Sequence, residues 1–372
     1  MRGLDITPPK NNLGVGWLTF SRCLIQRSFV FLGHTFQSRT FVSTVVALFA
    51  VLAPVPGHAH PSQTQTTPPA ESAPAVPSSP QQSPPDNSQQ SGTFVIRKDV
   101  DEVVLHATVV DDKDRIVTNL TKNDFAAYED GKQQTIISFH HEDIPVAMGI
   151  LIDNSGSMRE KRAKVNAAAL NLVRSSNPQD EVFVVNFNDE YYLDQDFTND
   201  LLKLKDALDK IDARGGTALY EALVASADNF KNARLEQKVL FVVTDGEDNA
   251  SRETLEQAVK QLQQEGGPSV YAIGLLGDEE HPKRAKRALE IIAQRTGGLA
   301  FFPRTLDEVD EISRQVAHDI RNQYTIGYKP TTPKSVGGFR TIRVEAKAKG
   351  HGKMTVRTKS GYYAGAAQSA AK

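Results

Sequence analysis

Cysteine and tryptophan are almost absent from the sequence, with one residue of each in 372. Cys23 and Trp17 both lie near the N-terminus, in a segment that we expect to be removed from the mature protein. A chain without cysteine has no disulfide framework of the kind that exported proteins often use for stability. The mature protein must therefore be stabilised by the packing of its core or by a bound metal.

The sequence also lacks an excess of positive charge and several common catalytic motifs. Its formal net charge is −2, so no global attraction to nucleic acid is expected, and the short basic run at 283–287 is interpreted as a solvated helix face. No H-E-x-x-H, G-x-x-x-x-G-K-[ST] or G-x-S-x-G pattern is present, and His140 and His141 lack the spacing of metal ligands. The sequence therefore predicts no nucleic-acid partner and none of the catalytic sites that these motifs encode.

The N-terminal part of the chain has the layout of a secretory signal. Residues 41–54 (FVSTVVALFAVLAP) form a short apolar run that follows several arginines and precedes the small-residue stretch Gly57-His58-Ala59. Because the run is shorter than the ~20 residues of a spanning helix, we favour a leader over residues 1–59 rather than an uncleaved membrane anchor. The protein is accordingly expected to be exported and to be periplasmic, bound to the cell surface or secreted.

The next segment, residues 60–92, is rich in proline, serine and glutamine. Such a composition does not bury enough apolar surface to offset the entropy lost on ordering. We expect a flexible linker that holds the folded part away from a membrane or cell wall, and a plain spacer is favoured over a specific recognition motif.

Between residues 143 and 322, strand patterns and helix patterns alternate along the chain. The runs GILI, VFVV and VLFVV are continuously apolar, which is typical of parallel strands that helices bury on both faces. Segments with apolar residues at helical spacing separate these runs. The sequence therefore predicts a doubly wound α/β domain with a mostly parallel sheet over residues 143–322.

The segments on both sides of this domain predict antiparallel strands. Residues 93–142 contain a β-branched run at 102–110 and a hairpin pattern around the turn dipeptide Asp130-Gly131. Residues 323–364 contain three further strand patterns, at 324–330, 338–348 and 353–364. The last residues, 365–372, are predicted to be a flexible tail.

Neither flanking segment has enough strands to be stable by itself, because small sheets are marginal without more partners. We therefore expect one small antiparallel β-sandwich built from both flanks, with the α/β domain inserted into it. This arrangement also keeps the entry and exit of the inserted domain close together. The alternative is two separate small β units packed on the α/β domain.

Oxygen-bearing side chains follow the predicted strands of the α/β domain at the points where they end. An acid ends the strand ILI, and two serines come behind it at alternate positions; a second acid follows VLFVV, and a threonine follows Gly215-Gly216. In open α/β sheets, ligands bind beyond the carboxyl ends of the strands. Carboxylate and hydroxyl oxygens suit a hard divalent cation such as Mg²⁺. The sequence thus predicts a metal site formed by Asp153, Ser155, Ser157, Thr217 and Asp245.

Each of these residues also has a purely structural interpretation. Ser157 fits the N-cap of a helix that starts near Arg159, Thr217 fits another N-cap, and Asp245-Gly246 fits an ordinary turn. Their joint occurrence at three strand or loop ends on one edge of the sheet favours the metal site. The neighbouring acids Glu247 and Asp248 are interpreted as solvated loop residues.

The pattern Asp153-x-Ser155-x-Ser157, together with Thr217 and Asp245, resembles the metal-ion-dependent adhesion site of von Willebrand factor type A domains. All five motif positions are present, and the resemblance covers the whole α/β region. The complete layout, with the closing elements Y-x-x-G-Y at 324–328 and GYY at 361–363, looks like a bacterial family of exported proteins related to that domain.

This resemblance implies specific roles for the five residues. Ser155 and Ser157 would ligate Mg²⁺, or alternatively Mn²⁺ or Ca²⁺, and Thr217 would do so directly or through water. Asp153 and Asp245 would act mainly through waters and hydrogen bonds. Since neutral hydroxyls leave the charge of the ion under-compensated, the implied partner is a protein that offers an Asp or Glu side chain.

Two further functions stay open beside capture of a protein ligand. A metal-dependent hydrolase would use the same ion to activate water, but it requires a general base, and no histidine falls at the predicted strand ends. A structural scaffold of the cell envelope with a non-functional metal site is the second alternative. We expect a binding protein and not an enzyme.

Overall fold

The computed structural model describes residues 101–210, 213–277 and 281–365. The predicted leader (1–59), the predicted linker (60–92) and all but the first residue of the predicted tail (365–372) lie outside the described residues. Within the described part of the chain, no helix combines the length and the apolar character that a membrane crossing requires.

Thirteen strands and six α-helices are found among the described residues. The strands are β1 (Val103–Val110), β2 (Phe125–Glu129), β3 (Lys132–His140), β4 (Ala147–Asp153), β5 (Glu181–Phe187), β6 (Tyr191–Thr198), β7 (Lys238–Thr244), β8 (Ser269–Gly274), β9 (Ala300–Phe301), β10 (Tyr324–Lys329), β11 (Gly338–Ala346), β12 (Thr355–Arg357) and β13 (Gly361–Ala364). The helices are α1 (Arg162–Ser175), α2 (Leu201–Asp209), α3 (Leu219–Asn229), α4 (Leu255–Leu262), α5 (Pro282–Thr296) and α6 (Glu308–Arg321).

A six-stranded sheet forms the centre of the region from β4 to α6. Its strand order is β6-β5-β4-β7-β8-β9, and every neighbouring pair is parallel except β5 and β6. Strands β4 and β8 are buried along their whole length because α1, α2 and α6 cover one face of the sheet and α3, α4 and α5 cover the other. This arrangement confirms the predicted doubly wound α/β fold.

The edge strand β6 is not predicted by the sequence patterns. Most of its residues are exposed or half-buried, and acids such as Asp194 and Asp196 interrupt its apolar positions. It pairs antiparallel with β5, with register shifts between Val182 and Val185. The pairing with β5 therefore overrides a weak local pattern, as is common for edge strands.

The two flanking segments join in a seven-stranded antiparallel sheet with the order β12-β1-β10-β3-β2-β11-β13. The N-terminal flank supplies β1 to β3 and the C-terminal flank supplies β10 to β13. Strand β10 lies between β1 and β3, and β11 pairs with β2, so neither flank forms this sheet alone. The structure confirms that the α/β domain is inserted into an antiparallel β unit made from both flanks.

In detail, this β unit is one continuous sheet rather than two stacked sheets. It curls so that β12 approaches β11. The curled sheet packs around a core that contains Leu105, Phe125, Tyr324 and Tyr328. The normal twist of strands allows a single sheet of this size to bury its own apolar face.

The predicted strand 353–364 is divided into β12 and β13, which lie at opposite edges of the antiparallel sheet. β12 pairs with β1, whereas β13 pairs with β11. Between them, Thr358 Oγ1 donates to His106 O (2.8 Å) and Ser360 N donates to Arg295 O (3.1 Å). Residues 358–360 include neither glycine nor proline, so contacts with distant residues, and not a local turn signal, place the break.

A cavity of about 280 Å³ next to β1 brings several titratable side chains together. Among those that line it are Glu102, His106, Glu236, Lys238, Glu265 and Lys359. Burial, and to a lesser extent the positive charge of Lys359, lower the pKa of His106 from 6.5 to about 3. The neutral imidazole is therefore the form that the folded protein accommodates.

We expect His106 to make the protein less stable in acid. The unfolded chain takes up a proton on His106 below pH 6.5, whereas the folded chain does not until about pH 3. The stability that depends on neutral His106 is therefore complete above pH 6.5 and declines as the pH falls toward 3. At about pH 5 the decline amounts to roughly 2 kcal/mol in the free energy of unfolding.

Urea unfolding of the wild type and of His106→Gln, at about pH 7.5 and about pH 5, measures this contribution. Between these two pH values, the free energy of unfolding should fall for both proteins. The fall should be about 2 kcal/mol smaller for the variant than for the wild type. His318→Gln, an exposed position on α6, is the matched control and should keep the wild-type pH dependence. Equal pH dependence of the wild type and His106→Gln would contradict the prediction.

Candidate metal centre

The centre lies at the carboxyl ends of β4 and β7, which are neighbouring parallel strands. Asp153 is the last residue of β4, and Thr244, the last residue of β7, is followed by Asp245. Because parallel neighbours end on the same edge of a sheet, both acids come to one place. Both are fully buried.

Asp153 organises the loop that follows β4. Its Oδ1 accepts a hydrogen bond from Ser155 N (2.7 Å), and its Oδ2 accepts one from Thr244 Oγ1 (2.6 Å). Burial raises the pKa of Asp153 from 3.8 to about 6, while the hydrogen bonds from Thr244 and Ser155 lower it and the charge of Asp245 raises it. Asp153 thus fixes Ser155 relative to β7 through two hydrogen bonds.

The two serines and Asp245 form a chain of oxygen atoms. Ser155 Oγ and Ser157 Oγ are 3.1 Å apart, and Ser157 Oγ donates to Asp245 Oδ1 (2.8 Å). Ser155 and Asp245 are buried and Ser157 is exposed, so the chain of oxygen atoms reaches the surface at Ser157. Side chains predicted from two separate segments, the serines after β4 and the acid after β7, are therefore in direct contact.

Thr217 reaches the same edge through the loop that contains Gly215 and Gly216. Gly156 N donates to Gly215 O (3.2 Å), which joins this loop to the serine loop. A Cβ atom on Gly246 would lie 3.7 Å from Thr217 Oγ1, so the threonine hydroxyl faces the residue after Asp245. Thr217 N also donates to Asn249 Oδ1 (2.9 Å), and Asn249 N donates to Thr217 O (3.0 Å).

Ser157 and Thr217 are not the N-cap residues of α1 and α3, which was the structural alternative to a metal site. Helix α1 has Lys161 as its N-cap residue, and α3 has Ala218. The hydroxyl of Ser157 is directed to Asp245 instead. Since Asp245 accepts side-chain hydrogen bonds and is fully buried, it also has a different environment from that of an ordinary turn acid.

Several residues at this edge were not expected from the sequence. Thr244 is the donor to Asp153, and its only signal is its place directly before Asp245. Lys161 Nζ lies 2.5 Å from Asp245 Oδ2, and no motif indicates this contact. Asp248 is not the solvated loop acid that was expected: its Oδ2 accepts from Tyr220 N (2.8 Å), at the start of α3, and from Ser251 Oγ (2.7 Å) in its own loop.

The chemistry of this set of side chains suits a hard divalent cation. In the described ranges, no group of three or more His, Cys, Asp or Glu side chains is arranged to hold a metal ion. The candidate centre instead combines two carboxylates with three hydroxyls, and such oxygen atoms are the ligands of Mg²⁺, Mn²⁺ and Ca²⁺. The ammonium group of Lys161 beside Asp245 shows that the edge accommodates a positive charge. The residues therefore fit the ion, and its binding stays a prediction.

Comparison with known proteins finds a family match for part of the α/β region. Residues 148–247 match the family model of the von Willebrand factor type A domain. No curated protein sequence matches the chain.

Among solved structures, a von Willebrand factor type A protein from Catenulispora acidiphila is similar at 18% identity, with a TM-score of 0.43, over 65% of this chain and 75% of that one. The PilB minor pilin from Streptococcus sanguinis is similar at 14% identity with a TM-score of 0.41; the match covers 49% of this chain and 62% of the pilin, which is less than two thirds of its length. An aerotolerance-related membrane protein from Bacteroides fragilis is similar at 20% identity with a TM-score of 0.40, over 47% of this chain and 98% of that one.

The matched residues run from β4 to the loop after β7 and include both acids of the candidate centre. They also form the parallel strands at the middle of the doubly wound sheet. The α/β region of this protein is therefore similar to von Willebrand factor type A domains over residues 148–247.

Proposed function

We propose that this domain binds a divalent cation, Mg²⁺ or alternatively Mn²⁺ or Ca²⁺, and captures a protein that offers an Asp or Glu side chain to the ion. The observation that carries the proposal is the chain of oxygen atoms from Ser155 through the exposed Ser157 to the buried Asp245. Ser155, Ser157 and Thr217 would hold the ion, with Asp153 and Asp245 behind them. A bound divalent ion would supply positive charge that three neutral hydroxyls leave under-compensated.

The hydrogen bonds of the two acids support binding rather than catalysis. Both oxygens of Asp153 accept bonds, from Ser155 N and Thr244 Oγ1. Both oxygens of Asp245 are likewise engaged, by Ser157 Oγ and Lys161 Nζ. A hydrolase requires a base with access to a water molecule, and these carboxylates serve instead to position hydroxyl groups. Capture of a ligand is therefore favoured over the hydrolase and over a scaffold that ignores metal.

We further propose that the protein is exported and works in the cell envelope, at the cell surface or in the surroundings. The support for this part is the sequence: the apolar run 41–54 with its basic flank, followed by the proline-rich segment 60–92.

Calorimetric titration with Mg²⁺ and Mn²⁺ tests the metal site directly. The wild type should bind either ion, and Asp153→Ala should weaken the binding about 10- to 100-fold because the hydrogen bonds that hold the serine loop are lost. Asp206→Ala, an exposed acid on α2, is the matched control and should bind like the wild type. Circular dichroism confirms that each variant is folded, and absence of binding in the wild type would refute the proposal.

Affinity capture from an envelope fraction tests the choice between adhesion and a scaffold. A partner should be retained in the presence of Mg²⁺ and released by EDTA. Retention that is the same with and without the chelator would contradict capture through a metal ion.

A further inference from the structure

We infer that the ammonium group of Lys161 competes with a divalent ion for the position beside Asp245 and thereby lowers the affinity of the site for metal. This inference rests on the proposed function. It assigns a regulatory role to a residue outside the Asp153-x-Ser155-x-Ser157, Thr217 and Asp245 set.

The geometry around Asp245 places the lysine where a second cation would meet it. Lys161 Nζ lies 2.5 Å from Asp245 Oδ2, and Ser157 Oγ lies 2.8 Å from Asp245 Oδ1. The side chain of Asp245 is completely buried, and that of Lys161 is 26% exposed. The carboxylate is therefore neutralised from the solvent side, the direction from which an ion in water must approach.

The backbone of Lys161 is held in position, so the contact with Asp245 depends on the side chain alone. Lys161 N donates to Met158 O (2.9 Å), and Lys161 O accepts from Val165 N (3.1 Å). The lysine side chain has four rotatable bonds, and its ammonium group is a compact, strongly hydrated charge that regains water when it leaves the carboxylate. The backbone thus fixes the point of attachment, and release of Asp245 requires a movement of the side chain only.

A space for the displaced ammonium group lies next to the centre. A cleft of about 420 Å³ is lined by Ser157, Lys161, Pro303, Arg304 and Leu306, among others. It is open to water, so the ammonium group would regain hydration when it leaves the carboxylate. Because two positive charges close to one buried carboxylate repel each other strongly, the ion and the lysine would exclude each other.

The other basic residues at the start of α1 have different contacts. Arg162 is buried and donates to Leu208 O (2.5 Å) and Asn186 Oδ1 (3.2 Å), which ties α1 to neighbouring elements. Lys164 Nζ forms an ion pair with Asp307 at the surface, 2.5 Å away. Lys164 therefore provides a control that has the same charge and lies on the same helix but does not contact Asp245.

Titration of the full chain with Mg²⁺ tests the inference in four proteins: the wild type, Lys161→Met, Lys161→Arg and Lys164→Met. Lys161→Met should bind Mg²⁺ about 10- to 100-fold more tightly, the factor that corresponds to the loss of one charged hydrogen bond. Lys161→Arg keeps the charge and should stay within about threefold of the wild type, as should Lys164→Met. The melting temperature of metal-free Lys161→Met should be lower than that of the wild type, and Mg²⁺ should restore it, because Asp245 otherwise remains buried without a counter-charge.

A measurement on the wild type covers the case in which Lys161→Met does not fold. Acetylation of lysines followed by mass spectrometry should label Lys161 slowly in EDTA and several-fold faster in Mg²⁺, while the labelling of Lys164 stays the same. Labelling of Lys161 that does not respond to Mg²⁺ would overturn the inference.

The outcomes of the titration separate this inference from the proposed function. Equal affinity of the wild type and Lys161→Met would overturn the role of Lys161 and leave the metal site intact. Binding by Lys161→Met alone would support the role of Lys161 and would overturn the proposed function, because the wild-type chain would then be closed to metal. Binding by neither protein would overturn both.

Discussion

Asp245→Asn should lower the affinity for Mg²⁺ about 100-fold. The substitution keeps the shape of the side chain but removes a negative charge from a fully buried position. The oxygen of the asparagine side chain could still accept the hydrogen bond from Ser157. Its NH₂ group, however, would face the ammonium group of Lys161, and because both groups are donors, no hydrogen bond could form between them. The site would therefore lose both the charge that attracts the ion and the order of the residues around it.

Glu247→Gln is the matched control for this experiment. It makes the same chemical change two residues along the chain, where the carboxylate lies near His281 (3.4 Å) and Arg284 (3.7 Å) at the rim. Its affinity for Mg²⁺, measured by calorimetry, should stay within about threefold of the wild type. If Asp245→Asn bound Mg²⁺ as tightly as Glu247→Gln, the position of the site at the end of β7 would be wrong.

Arg340→Met should lower the free energy of unfolding by about 3–5 kcal/mol, the largest change in stability that we expect from a single substitution. Arg340 and Glu129 form an ion pair of 2.9 Å in the antiparallel sheet, and each side chain is only 3% exposed. Glu129 also accepts from Tyr328 Oη (2.5 Å) and Tyr362 Oη (3.0 Å). Burial, together with Glu129, raises the pKa of Tyr328, so this tyrosine remains a donor.

The reason for the large effect is that the variant would leave a carboxylate buried without its counter-charge. Arg343→Met on the same strand is the control, because Arg343 pairs with Glu345 at the surface, where its side chain is 58% exposed. Its expected effect is below about 1 kcal/mol. Urea unfolding measures both variants, and a loss of similar size in the two would show that the pair of Arg340 and Glu129 is not special.

Much of the fold could be predicted because its signals are local in sequence. The continuous apolar runs that became β4, β5 and β7 are buried in the sheet as expected. The hairpin between β2 and β3 turns at Asp130 and Gly131, whose φ angles of 49° and 75° are those that this dipeptide favours. Each of these features depends on residues within one short window.

The candidate site was predicted in part for the same reason. Asp153, Ser155 and Ser157 are close in sequence, and Thr217 and Asp245 each follow a recognisable loop or strand. Thr244 and Lys161 were missed because a threonine at a strand end and a lysine at a helix start are common everywhere. Thr244 and its partner Asp153 are 91 residues apart in the sequence, and Lys161 and Asp245 are 84 residues apart. Both contacts therefore exist only in the folded chain.

The sequence by itself determined the alternation of buried strands and helices and the polar residues at the strand ends, since hydrophobic periodicity and turn chemistry act over a few residues. Tertiary structure alone decided the edge strand β6, the division of 353–364 into two strands at opposite edges, and the pairing of Arg340 with Glu129. It also decided that a lysine lies against Asp245. These features depend on which distant segments of the chain pack together and exclude water. A sequence pattern of a few residues contains no information about such long-range contacts.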